Sequence, residues 1–161
     1  MFDAPLDATY AWLGVALVSV VTAGVAATLP ASPPPDVAGA AHTIDSVADG
    51  DHPATAEHGL TADRIRLTDR TVALGSNGEV AHTTLVAPRI TPVPSSESHR
   101  DAGELRRVLH GAPPDRVFDD PEALSTAADR ARTADHDWRA APNRLTVRRV
   151  HYDDVQVTLV G

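Results

Sequence analysis

Cysteine is absent from the 161 residues, and so is lysine; Trp, Tyr and Phe occur only twice each. Without cysteine there can be no disulfide, thiolate nucleophile, cysteine zinc site or lipid-modified cysteine. A domain outside the cell would have to hold together by packing alone. Beyond the N-terminal stretch the aromatics are Phe118, Trp138 and Tyr152. The core must therefore come from Val, Leu, Ile and Ala, at about 25 cal/mol per Å² of apolar surface buried. GxGxxG, GxxxxGK[ST] and GxSxG are also missing, which removes those routes to nucleotide binding and serine hydrolysis.

What remains is acidic. All 14 basic residues are arginine, against 17 Asp and 5 Glu, for a net charge of -8. An Asp-rich, lysine-free surface keeps its water where salt screens charge, and arginine replaces lysine at a lower desolvation cost. The composition resembles that of extremely halophilic archaea. Scattered arginines in an acidic chain argue against nucleic acid as a partner.

The longest uncharged run, "ATYAWLGVALVSVVTAGVAATLPASPPP", begins at Ala8 and is closed by Asp36. Residues 9–29 would form about 21 helical residues, enough for a hydrocarbon layer of roughly 30 Å. Tyr10 and Trp12 stand at one end, where amphipathic rings favour the membrane interface. A cleaved leader would open with basic residues, but Asp3 and Asp7 come first, so a retained anchor to the lipid bilayer is expected. Ser19, Ala23 and Ala27, with Gly24 and Thr28 beside them, form a small-residue stripe suited to helix packing, with a membrane-protein partner or a second copy. The acidic flank after the span favours a C-terminal domain outside the cell.

The expected layout is a tail (1–8), a transmembrane helix (9–29), a Pro-rich hinge (30–36), an amphipathic helix (37–50), a polar loop (51–62) and an α+β head (63–161). Asp36 should cap the amphipathic helix, whose inward positions are Val37, Ala40, Ala41, Ile44, Val47 and Ala48. From Asp63 the period is two: "RIRL" and "RTVAL" read as strand, Gly75 to Gly78 as a turn, and "EVAHTTLVA" as the returning strand. "PRITPVPSSESHRD" reads as a surface connection with at most an edge strand. "AGELRRVLHG" predicts a short helix and "DDPEALSTAADRARTADHDW" a longer one, capped by Asp120 with Pro121 first. "RLTVRRVHY" and "VQVTLV" predict a second hairpin turning at Asp153-Asp154. The head is thus expected to be one antiparallel sheet with helices packed on one side.

Imidazole beside carboxylate is ligand chemistry for zinc, nickel or iron. His52, Glu57 and His58, with Asp135, His136 and Asp137, are the metal-site candidates, although none has HExxH spacing. No catalytic residue, cofactor or cofactor site is expected. Arg106-Arg107 and Arg148-Arg149 could meet an acidic partner, or could simply balance nearby acids.

"MFDAP", "YAWLG", "LPASPPPDVAGAAHTIDSVA" and "DHPATAEH" resemble a haloarchaeal family of single-span, membrane-anchored proteins of uncharacterised function. The resemblance implies a cell-envelope setting and no known activity. A looser similarity is to pilin-like envelope subunits, though the basic leader and the early Glu of pilins are missing and proline breaks the helix. The sequence thus predicts an accessory or scaffold subunit of a surface assembly, pilus-like or secretory, acting by protein–protein contact. The alternatives are an anchored small-ligand or metal-binding module and, further off, an envelope hydrolase.

Overall fold

The computed structural model describes residues 35–87, 89–94 and 100–161. The expected span at 9–29, its stripe at Ser19, Ala23, Gly24, Ala27 and Thr28, and the tail at 1–8 lie outside the described residues, as does most of the hinge. Among the described residues, no helix is long and apolar enough to cross a membrane.

Asp36 caps α1 (Val37–Ala48) as expected, accepting the Gly39 N–H at 2.8 Å. Ala40, Ala41, Ile44, Val47 and Ala48 are buried on its inward stripe. The helix stops at Ala48 rather than Gly50. There Arg149 donates to the Ala48 carbonyl, and also to Gln156 Oε1 at 2.8 Å. This satisfies an end carbonyl and sets a cation at the negative end of the helix. Asp45, midway along α1, accepts the backbone N–H groups of Val86 and Ala87 at 3.1 and 2.9 Å.

The expected polar loop is corrected: β1 (Ala54–Gly59) is a strand, paired antiparallel with β7 (Arg144–Tyr152) from Ala54↔Arg149 to Gly59↔Arg144. None of its residues is fully buried. Backbone hydrogen bonds hold this edge, so the sequence shows no apolar alternation there. β7 turns into β8 (Val155–Val160) at Asp153-Asp154, and β5 (Thr91–Pro92) joins β8 in parallel, giving the order β1-β7-β8-β5. An edge suits Pro92, which has no N–H to give. The stretch is not a surface connection, however, because Ile90 to Val93 are buried.

A second sheet replaces the single one expected. β2 (Arg64–Leu67), β3 (Thr71–Ser76) and β4 (Glu79–Thr84) form a meander, flanked by β6 (Arg139–Ala140), in the order β4-β3-β2-β6. Asn77 and Gly78, with φ of 50° and 84°, make the β3–β4 turn. Gly75 and Ser76, expected in that turn, belong to β3.

The helices also cover both faces of the first sheet, not one side. Ile44 of α1 packs with Ile65, Leu74, Leu145 and Val147 between the two sheets. On the opposite face, Val150, Val157 and Leu159 meet α2 (Arg100–Leu109) and α3 (Pro121–Thr133) through Leu105, Val108 and Leu124. The cause lies in β7 and β8. Leu145 and Val147 point one way and Val150 the other, while Val157 to Val160 are all buried, so each face needs a cover.

α3 starts as expected, with Asp120 accepting the Ala123 N–H at 2.7 Å and Pro121 in the first turn. It ends at Thr133, not Trp138. The Thr133 hydroxyl donates to the Asp129 carbonyl, and His136 Nε2 lies 3.2 Å from the Arg132 carbonyl. Side chains thereby occupy carbonyls that another helical turn would have used.

One flaw sits in the core. Thr91 is fully buried, yet its hydroxyl has no hydrogen-bond partner among the described residues. Thr91→Val keeps the shape and removes the unsatisfied group, so it should raise stability by about 1 kcal/mol, read as a higher urea midpoint.

Candidate contact surface

Strand alternation decides what β2 displays: Ile65 and Leu67 are buried, while Arg64 and Arg66 face outward. Their guanidinium carbons lie 4.9 and 5.2 Å from the Trp138 ring centroid, in cation–π range. Trp138 is held there because the next residues, Arg139 and Ala140, pair with Ile65 and Arg64. Gly75, opposite Arg64, completes the arrangement. A Cβ at that position would stand 2.7 Å from Arg64 Nε and 2.9 Å from Cγ. The bare backbone lets the arginine stem lie flat.

Asp63 accepts from the Ser76 hydroxyl and the Asn77 N–H, both at 3.1 Å. Among the described residues, ion pairs join Arg70 and Arg89 to Asp69, Arg130 to Asp101, Arg132 to Asp129 and Arg144 to Glu57. Neither Arg64 nor Arg66 belongs to them.

Among the described residues, β4 is an edge strand of the same sheet. A two-residue hairpin makes Ser76 and Glu79 a bonded pair, so Val80, His82 and Thr84 turn their backbone N–H and C=O groups outward. Glu79 is the only formal charge in this strand, and Val80 is 49% exposed.

The metal candidates do not converge. Glu57 binds Arg144 at 2.7 Å. His58 lies 3.8 Å from Asp36 and 3.4 Å from the Thr43 hydroxyl. As successive strand residues, Glu57 and His58 point to opposite faces of the sheet. His52 is exposed before β1, and Asp135, His136 and Asp137 follow α3 in a loop. Among the described residues no three His, Cys, Asp or Glu side chains come close enough to hold a metal ion.

A cavity of about 490 Å³ is lined by Arg106, His110, Arg139, Pro142 and Arg144, among others. Arg139 donates to the Val93 carbonyl at 2.8 Å and Arg106 to that of Pro94 at 2.7 Å. Burial, and after it the charge of Arg106, lower the pKa of Arg139, although a guanidinium stays charged throughout the accessible pH range.

Elsewhere, partial burial, followed by the carboxylates of Asp153, Asp115, Asp120 and Asp119, raises the Tyr152 pKa. The folded state therefore favours the neutral phenol. That contribution is complete below the ordinary phenol pKa of about 10 and is lost as pH rises through the folded value. Tyr152→Phe should flatten the alkaline decline of stability, measured by urea denaturation between about pH 9 and 12.

Sequence reasoning missed the Arg64–Trp138–Arg66 arrangement. The signal was a tryptophan far in sequence from an Arg-x-Arg strand, which only β2–β6 pairing brings together. Comparison with family models matches residues 3–150 to a family of unknown function, DUF7283. No curated protein and no solved structure matches the chain.

Proposed function

The chain belongs to DUF7283, and on its own features we propose that it acts by protein–protein contact, as an accessory or scaffold subunit of an archaeal surface assembly. The observation that carries this reading is the β4 edge: six residues, one charge, outward backbone groups and an exposed Val80. Natural sheets normally guard such an edge with lysine, proline or a bulge. Among the described residues no strand pairs with the outer side of β4, in a chain otherwise dense in charge.

The apolar run at 9–29 supports a single membrane anchor, and the acidic residues after it support a head held outside the cell, with the small-residue stripe available for helix packing. In such a setting the anchor confines the head to two dimensions, so a weak edge contact gains effective concentration. Chemical crosslinking in native membranes tests the reading. A discrete higher-mass adduct is expected; a head recovered only alone would overturn it. Washing membranes with alkaline carbonate tests the anchor, since an anchored chain stays in the pellet.

A second reading rests on the arginine-lined cavity, whose size and charge suit a small anionic organic ligand. Arg144, one of its lining residues, is already ion-paired with Glu57, which makes this the weaker of the two.

A further inference from the structure

We propose that the Arg64–Trp138–Arg66 face recognises carboxylates on an extended acidic segment of a partner polypeptide. The inference rests on the contact reading and names the chemistry of its partner. Three observations carry it.

The first is charge. The chain has 22 acids against 14 arginines, and five arginines named above are ion-paired with acids among the described residues. Arg64 and Arg66 instead keep exposed guanidiniums beside an aromatic ring. A planar guanidinium fork matches a carboxylate through two parallel hydrogen bonds, which an ammonium cannot do.

The second is order. The Trp138 ring lies under both guanidiniums, and Gly75 gives the Arg64 stem a flat bed. Side chains already held in place lose less entropy on binding.

The third is spacing. Arg64 and Arg66 are two residues apart on one strand face, a separation of about 6.7 Å. An extended Asp-x-Asp segment presents carboxylates on one face at that same repeat. A helical or disordered polyanion does not hold its charges at that repeat.

Fluorescence anisotropy with the full chain tests this, using a labelled peptide of alternating Asp and Thr. Wild type should bind it. The Asn-Thr peptide and a peptide with Asp at every third position should each bind about tenfold more weakly or worse. Arg64→Gln with Arg66→Gln should lose the binding, and rising salt should weaken it in wild type. Arg64→Lys with Arg66→Lys should retain only part, because charge survives and the fork does not.

Equal binding of the Asp and Asn peptides, or of the two spacings, overturns the proposal without relying on any variant that fails to fold. Full binding by the lysine pair, or tighter binding of an oligonucleotide than of the Asp peptide, also overturns it. Crosslinks in native membranes with no peptide binding would sink this inference and leave the contact reading standing.

Discussion

Leu145→Ala is expected to cost about 3 kcal/mol, seen as a fall in the urea midpoint with little change in slope. Leu145 is fully buried on β7 and packs in the cluster shared by α1 and the two sheets. Its neighbours come from elements pinned by other bonds: α1 through Asp45 and Arg149, and β7 by strands on both sides. Such a site cannot collapse around the void, so the cavity contributes in addition to the lost transfer energy. Against a typical stability of about 5–15 kcal/mol, the loss is a large fraction. The conservative Leu145→Met should cost less than about 1.5 kcal/mol.

Leu124→Ala should have a loss of similar size, about 2–4 kcal/mol, from the opposite side of the same sheet. Leu124 is fully buried in α3 and belongs to the cluster with Leu105, Val150 and Leu159. The two clusters are separate side-chain groups, but β7 and β8 form their common wall. Both substitutions should therefore shift one cooperative transition, followed identically by far-UV circular dichroism and by tryptophan fluorescence. Two transitions in the Leu124→Ala protein would mean that the α2–α3 layer unfolds separately from the rest.

The elements legible in the sequence were those with a strong local signal. α1 announced itself by Asp36 and a stripe from Ala40 to Ala48, and α3 by Asp120-Pro121. The Asn77-Gly78 turn and the Asp153-Asp154 turn marked their hairpins. β1 was hidden because its place is secured by backbone pairing with β7, and "ATAEHG" carries no apolar alternation. The burial of Ile90 to Val93 was hidden by prolines, which suggested surface where the chain forms a parallel edge beside β8. The split into two sheets was illegible for a different reason. Both hairpins alternate with period two, and nothing local says which strands will share a ladder. Trp138 reached Arg64 and Arg66 only through that long-range choice.

The metal candidates show the same limit from the other direction. Acid and imidazole were close in sequence at Glu57 and His58, yet the strand turned them to opposite faces. Arg144 then took the carboxylate. Adjacent letters promised a cluster that the pleat separates.

A photo-crosslinking residue placed at Val80 in native membranes measures most directly whether the β4 edge is a contact. A discrete protein adduct is expected from position 80 and none from Asp119, an exposed residue just before α3, in the layer on the other side of the first sheet. The same adduct from both positions, or from neither, would contradict it.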